Sequence, residues 1–159
     1  MSLGKDTNYL AVDNGDIIIG CTDYKYVGSI CTKDETDTKN IRHRVIQARK
    51  IIGELNGIWW SKDMTKNRKK IIYNSMVKSV LIYGAETWSL YEDDRRRINA
   101  TEMDALGRSA RIYKLDRKTN EYIGEKMDAP DTLLDETTRK LLICYGHVGE
   151  WTQYDYQKL

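Results

Sequence analysis

The pattern of apolar and polar positions divides the chain into a β-rich beginning and a helical remainder. Residues 8–12 and 17–19 are short β-rich runs, and Asn14-Gly15 between them is a strong signal for a hairpin turn. A third β-rich run covers residues 25–30. Three short strands bury little surface alone, so we expect residues 1–33 to be the edge of something larger.

Apolar residues at alternating steps of three and four predict three amphipathic helices between residues 34 and 113. The expected buried positions are Ile41, Val45, Ala48, Ile52, Leu55 and Trp59 in the first helix, Ile72, Met76, Val80 and Tyr83 in the second, and Ile98, Met103, Leu106, Ala110 and Ile112 in the third. The connections are short, which predicts an antiparallel three-helix bundle.

Capping residues predict where these helices begin and end. Asp37 or Thr38 suits the start of the first helix, Asp63 or Thr65 suits the start of the second, and Gly84 suits its end.

Two shorter helices are predicted in residues 114–149. Thr119 can cap the first, and Pro130 separates it from a last helix over residues 132–148. The apolar positions of these two helices are Ile123, Met127, Leu134, Leu141, Leu142, Tyr145 and Val148. The predicted fold class is therefore α+β and mainly α, with short N-terminal strands, a three-helix bundle and two shorter helices.

Composition places the chain among ordinary globular proteins of one domain. It has 159 residues, 40% of them hydrophobic and 31% charged, and no apolar run approaches the ~20 residues that cross a bilayer. The N-terminus lacks the apolar core of a secretory signal, and three widely spaced cysteines favour free thiols. We expect an intracellular protein, nuclear or cytoplasmic, without a membrane partner.

Charge is distributed unevenly along the chain. Residues 39–118 carry 19 Lys and Arg against 9 Asp and Glu, a net charge of +10, while the whole chain has a net charge of +2. A basic centre favours a polyanionic partner, although a solvated helical surface explains the charge equally well. The basic residues that could neutralise backbone phosphates are Arg42, Arg49, Lys66, Arg68, Lys69, Lys70, Arg95, Arg96, Arg97, Arg108 and Arg111. Alternatively, half or more of them solvate the bundle or pair with Glu54, Asp63 and Glu102.

Three other groups invite a chemical interpretation that their context does not support. Residues 91–94 have the form Tyr-x-Asp-Asp of a polymerase metal site, but they open a helix, whereas such aspartates belong on a tight β-turn. Cys144 and His147 form one Cys-x-x-His pair, and structural zinc needs four ligands, so core packing is favoured. His43 has neither an acidic nor a nucleophilic partner in sequence.

Several motifs stand in the order and spacing of one known family. Residues 25–30 read Lys-Tyr-Val-Gly-Ser-Ile, residues 83–88 read Tyr-Gly-Ala-Glu-Thr-Trp, and residues 145–148 read Tyr-Gly-His-Val. With these motifs, the chain resembles the reverse transcriptases of non-long-terminal-repeat (LINE-type) retrotransposons over roughly residues 7–149.

The resemblance implies a role for each segment. Residues 1–33 correspond to the palm edge and the primer grip, with Lys25, Tyr26, Val27 and Gly28 in the grip itself. Residues 34–113 correspond to the thumb and residues 114–149 to the segment after it. The chain departs from the family at Gly107 and Gly124, where arginine is usual.

Residues 150–159 depart from the family most clearly. The family continues with Met-Asp-Pro and Arg-Leu-Pro, whereas this chain continues with Trp-Thr-Gln-Tyr. From the third base of the Glu150 codon, permitted codons give Met-Asp-Pro-Ile-Arg-Leu-Pro-Lys. We therefore hypothesise a shift of reading frame near Gly149.

The function implied by the resemblance is that of an incomplete polymerase. The palm that carries the metal-binding aspartates would lie before Met1, so Mg²⁺ is implied for the parent RNA-directed DNA polymerase and no cofactor, metal or catalytic residue is implied here. The expected partners are an RNA/DNA template–primer duplex, held without sequence preference, and the missing palm.

Two alternatives from other functional classes remain open. The chain could be a protein-interaction or self-associating module, because strands detached from a palm expose edges and the side chains of Ile17, Ile19 and Tyr26. A DNA-binding regulator would need base-specific recognition, for which the sequence gives no sign.

Overall fold

The fold is α+β and mainly α, as the sequence predicts. The computed structural model describes residues 9–11, 17–19, 21–32, 36–129 and 131–156. Two short β-hairpins come first, and a set of packed helices follows them.

The described strands form two separate two-stranded antiparallel sheets. Strand β1 (Tyr9–Ala11) pairs with β2 (Ile17–Ile19), and β3 (Asp23–Tyr26) pairs with β4 (Ser29–Thr32). The turn predicted at Asn14-Gly15 lies outside the described residues.

The β-rich run over residues 25–30 is two strands and a turn rather than one strand. Val27 and Gly28 occupy the turn with φ angles of 46° and 83°. Positive φ at both central residues is typical of the tight hairpin turns that match strand twist, and glycine adopts such angles without a Cβ penalty. Strand propensity alone hides this turn because Tyr26, Val27 and Ile30 favour β structure and Val27 itself lies in the turn.

Seven α-helices are described. They are α1 (Thr38–Glu54), α2 (Asn56–Trp60), α3 (Lys66–Ile72), α4 (Ser79–Leu81), α5 (Glu92–Ser109), α6 (Asn120–Lys126) and α7 (Leu133–Tyr156). A π-helical segment (Tyr73–Lys78) joins α3 to α4, and short 3₁₀ turns occupy Ala85–Thr87 and Lys114–Asp116.

The central helices form the predicted up-down-up bundle. Helices α1 and α5 are parallel, because Thr38 donates to Asp94 at 2.8 Å near their starts and Arg108 of α5 donates to Asn56, just beyond α1, at 2.8 Å. The α3–α4 helix runs against both, since Lys69 near its start contacts the far ends of α2 and α5.

The core contains the predicted stripe of the first helical segment, although that segment is two helices that meet at Leu55. Ile41, Ala48, Ile52 and Trp59 are fully buried, and Ile98 and Leu106 of α5 pack in the same cluster. The predicted face of the second helix is wrong, because Met76 and Tyr83 are exposed. The residues that this helix buries are Lys69, Tyr73, Val77 and Leu81.

The misplaced face follows from polar residues at core positions. The buried positions begin at Lys69 and Tyr73, so they differ from the apolar stripe that begins at Ile72 already before the π-helical segment. Because a lysine and a tyrosine occupy the buried face here, a stripe drawn through apolar residues alone points to the neighbouring face. The buried face of α7 also differs from prediction, with Leu133 and Thr137 inside and Leu142 and Tyr145 exposed.

Local signals for the helix ends are confirmed at three sites. Thr65 accepts from the Arg68 N–H at 3.5 Å, Thr119 accepts from the Tyr122 N–H at 3.3 Å, and Gly84 ends the second helix with φ 75°. Asp37 stands at the N-cap position of α1, as predicted, but its side chain accepts from the Ser89 N–H and makes no capping bond, while Thr38 bonds Asp94. Asp63 caps no described helix, and Pro130 lies outside the described residues. Helix α7 extends to Tyr156, eight residues beyond the predicted end.

Candidate nucleic-acid interface

The turn of the β3–β4 hairpin rests on the helical bundle. Arg44 of α1 donates through Nη2 to the Gly28 carbonyl at 2.7 Å, and the Tyr83 hydroxyl donates to the Val27 carbonyl at 3.0 Å. The Arg44 guanidinium also lies 4.3 Å from the centre of the Tyr83 ring. One cation and one phenol therefore fix the position of the turn.

Glycines allow this close approach. A Cβ on Gly28 would lie 3.4 Å from Arg44 Nη2, and a Cβ on Gly84 would lie 3.2 Å from Ser29 Oγ. Residues 25–30 and residues 83–88, two of the motifs that carry the family resemblance, are thus in direct contact.

We call Arg44 and Tyr83 the anchor of the turn. Burial changes the pKa of the arginine in this pair. Arg44 is buried, and desolvation lowers its pKa, although a guanidinium remains charged in a protein. Its Nε has no hydrogen-bond partner among the described residues. The outer residues of the hairpin, Lys25, Tyr26 and Val27, are exposed.

A basic strip follows the line where α1 and α5 meet. Arg42 and Arg49 are exposed two turns apart on one flank of α1, and Arg49 Nε donates to Thr101 Oγ1 of α5 at 3.3 Å. Arg97 is exposed one turn before Thr101, and Arg108 lies two turns after it. We call Arg42, Arg49, Arg97 and Arg108 the α1–α5 seam.

Three of the four arginines in the seam have no ion-pair partner among the described residues. Arg108 bonds Asp104 at 3.2 Å, whereas Arg42, Arg49 and Arg97 have no acidic partner among the described residues. Exposed guanidinium groups in such a row suit a phosphate backbone, because each can form charge-assisted hydrogen bonds without reading a base.

Lys69 does not belong to the interface predicted for it. Its side chain is buried, and Nζ donates to the carbonyls of Trp59, Ser61 (2.9 Å) and Ser109 (3.5 Å). Burial lowers its pKa, and the charge of Arg111 lowers it further. An ammonium enclosed by these carbonyls cannot reach a phosphate, so Lys69 is a structural residue.

Lys66 and Lys70 are engaged with the end of α6. Lys66 forms an ion pair with Asp128 and donates to the Lys126 carbonyl at 3.1 Å, while Lys70 donates to the Asp128 carbonyl. The Lys66 ammonium holds the pKa of the Asp128 carboxyl below its usual range. These two lysines attach α6 to α3 through Asp128, which is not one of the acids expected as partners.

The remaining predicted cations are dispersed. Arg96 pairs within its own helix with Glu92 at 3.3 Å and Asp93 at 3.9 Å. Arg68, Arg95 and Arg111 have no acidic partner among the described residues, and the structure does not bring them to the seam. The acids expected as partners behave differently, since Glu54 pairs with Lys50 and Glu102 bonds Tyr73.

A groove beside the seam contains residues that the sequence analysis missed. It has a volume of about 940 Å³ between α2, the second half of α5 and α6. Trp60 and Tyr113 line it as a stacked pair with ring centres 4.3 Å apart, and Lys114 and Lys118 lie at its edge. The available signal was Tyr113 followed by three basic residues, Lys114, Arg117 and Lys118. We call this feature the Trp60 groove.

The structure describes the surroundings of the groups that the sequence analysis set aside as chemical sites. Residues 92–94 form the first turn of α5, as predicted, and Asp94 is buried against Thr38. Cys144 is half-buried with a free thiol, and His43 lies 3.0 Å from the Gln47 amide nitrogen. In the part of the chain that the structure describes, no three His, Cys, Asp or Glu side chains are grouped as a metal site.

Comparisons with known proteins assign no family to this chain. No protein-family model, curated protein or solved structure matches this chain. Among the described residues, none of the helices has the length and apolar character needed to cross a bilayer.

Proposed function

We propose that this chain is a fragment of a LINE-type reverse transcriptase that binds a template–primer duplex through its phosphates and does not polymerise. The observation that carries the proposal is the contact between the Val27–Gly28 turn and the Arg44–Tyr83 anchor. Two motifs that define the resemblance meet in space although 56 residues separate Val27 from Tyr83. Because the two motifs form one contact, their presence together supports the descent of this chain from the family.

The α1–α5 seam supports the binding part of the proposal. Arg42, Arg49 and Arg97 are exposed and free of acidic partners among the described residues, and Arg108 is half-buried beside Asp104. Such a row holds a duplex by its backbone, and base edges stay unread.

The binding test is a titration of the purified chain against a fluorescent blunt RNA–DNA hybrid at several salt concentrations. The logarithm of affinity should fall by roughly 0.9 per logarithmic unit of salt for each phosphate contact, by analogy with B-DNA. Arg42→Gln or Arg49→Gln should each reduce that slope by about 1, whereas Arg96→Gln, which removes a cation already paired within α5, should change it little. Binding that ignores salt, or no binding at low salt, would contradict the proposal.

The origin has a separate test in the genomic DNA. An in-frame or frameshifted Tyr-Ala-Asp-Asp segment upstream of Met1 would support descent from a polymerase. Codons after Glu150 that cannot encode Met-Asp-Pro in the alternate frame would end the frameshift hypothesis.

A second candidate function is self-association or binding to another protein. Leu142, Ile143 and Tyr145 are exposed close together on α7, with 65%, 55% and 67% of their surface accessible, and Tyr26 is exposed on the hairpin. Exposed apolar side chains in a group are typical of interaction surfaces. Light scattering separates the candidates, because a monomer that binds the hybrid favours the first and an oligomer that ignores it favours the second.

A further inference from the structure

We infer that the Trp60 groove binds unpaired nucleotides that extend from a duplex held on the α1–α5 seam. The inference rests on the proposed function for the class of ligand, and it adds a site for single-stranded nucleic acid that the duplex surface does not provide. Four features of the groove carry it: a fixed aromatic stack, free cations, sufficient volume and continuity with the seam.

The stack is held in place by a chain of hydrogen bonds. Trp60 Nε1 donates to Asn56 Oδ1 at 3.1 Å, and Arg108 Nη1 donates to the same oxygen at 2.8 Å. Arg108 Nε in turn donates to Asp104 at 3.2 Å. The indole plane is therefore oriented before any ligand arrives, which reduces the entropy lost on binding.

Tyr113 extends this stack toward solvent. Its ring lies over Trp60 at 4.3 Å with an angle of 26° between the planes, yet 61% of its surface remains exposed. The side of the phenol that Trp60 does not cover is available to a further flat ring. Bases of an unpaired strand stack on aromatic side chains in this way, whereas the bases of a duplex already stack on each other.

The charges around the groove complement a phosphate backbone. Lys114 and Lys118 have no acidic partner among the described residues, although Lys118 Nζ also lies 5.1 Å from the Tyr122 ring centre. The acid in the lining, Asp104, is bonded to Arg108. A polyanion thus meets free cations here.

The volume and position of the groove suit a short strand. About 940 Å³ lies within the range of roughly 300–1,000 Å³ typical of small-molecule sites, which leaves room for a nucleotide or a short run of them. Arg108 belongs to both the groove and the seam, so a strand that leaves a bound duplex along α5 reaches Tyr113 past this arginine. The exposed carboxylate of Asp116 accepts from the Tyr113 N–H at 2.8 Å.

The test compares two probes on the full chain: a blunt RNA–DNA hybrid and the same hybrid with a short single-stranded extension. The extended hybrid should bind about fivefold tighter or more, since one stacked base contributes at least that factor. Tyr113→Leu should abolish this advantage and leave the blunt hybrid unaffected, whereas Tyr113→Phe should keep it. Tyr91→Leu, an exposed tyrosine at the start of α5, is the matched control and should also keep it.

Each outcome separates this inference from the proposed function. Equal affinity for the two probes, or an advantage that survives Tyr113→Leu, would overturn the groove as a nucleotide site even if the seam binds the blunt hybrid. An advantage that depends on Tyr113 would support it even if Arg42→Gln and Arg49→Gln leave blunt binding unchanged, which would overturn the seam instead. An acidic apolar peptide that binds in a Tyr113-dependent way while oligonucleotides do not would also overturn it.

Discussion

At the scale of single residues, the environment rather than the residue type decides what a cation does. Lys69 and Arg68 are neighbours in one basic run, yet the ammonium of Lys69 is enclosed by carbonyls from two helix ends and Arg68 is exposed. The sequence could not distinguish them, because residues 59–61 and 109 meet Lys69 only in the folded chain. Favourable charge at helix C-termini explains why a lysine occupies this interior site.

We expect Lys69→Met to lower the free energy of unfolding by about 3 kcal/mol, because three carbonyls lose a charged donor. Duplex binding by the remaining folded protein should be unchanged. Urea denaturation of this variant beside Arg68→Met, which removes the same charge from an exposed position, measures the difference. Equal stability of the two variants would show that the ammonium is not engaged as described.

Glu102 makes the free energy of unfolding fall as the pH rises. A carboxylate whose pKa is lowered by folding has the opposite effect. Its burial between α5, Tyr73 and the start of α7 raises its pKa above the usual 4.5, although bonds from the Leu133 N–H and the Tyr73 hydroxyl act against that rise. An acid with a raised pKa stabilises the fold fully below its unfolded pKa, and that contribution is lost as the pH rises through the folded pKa.

Glu102→Gln should remove this dependence. Relative to the variant, the wild-type protein should lose stability as the pH rises from below 4.5 through the raised pKa. Thermal melts of both proteins across the acidic and neutral range measure the difference between them. A difference that stays constant with pH would contradict the raised pKa.

At the scale of elements, capping signals at three helix ends agree with the structure, whereas the expected buried face of the second helix does not. Thr65, Thr119 and Gly84 mark helix ends because capping depends on neighbours in sequence. The helix from Lys66 to Leu81 was placed correctly, but its buried face was not, since polar Lys69 and Tyr73 occupy core positions. The Trp60 groove was not predicted, because it forms only where residues 56–60 meet residues 100–123 in the folded chain.

Two glycines should respond oppositely to alanine. Gly84 has φ 75° and would bring a Cβ to 3.2 Å from Ser29 Oγ, so Gly84→Ala should destabilise the protein by about 1–2 kcal/mol. Gly53 lies in α1 with no heavy atom within 4 Å of its Cβ position, so Gly53→Ala should stabilise by about 0.5–1 kcal/mol.

Denaturation midpoints of the two variants give the sign of each effect directly. Stabilisation by Gly84→Ala would show that the left-handed turn is absent, and destabilisation by Gly53→Ala would show that α1 is crowded on that side.

At the scale of the whole molecule, the contact between Tyr83 and the turn at Val27 joins the β3–β4 hairpin to the helical bundle. Tyr83→Phe removes the hydroxyl that donates to the Val27 carbonyl and should cost about 0.5–1.5 kcal/mol at that contact. Amide hydrogen exchange should accelerate in β3 and β4 and stay unchanged in α5. Tyr91→Phe is the control, and equal exchange in both variants would show that the hydroxyl does not hold the turn.

The anchor of the hairpin also determines how the chain can be shortened. A version that begins after Thr32 would remove the carbonyl that accepts from Arg44 and would leave an interior guanidinium with its Nε already unpaired. It would also uncover the ring of Tyr83. The smallest independently stable piece of this protein should therefore start before Asp23, and dissection into a helical unit alone should yield a protein prone to aggregation.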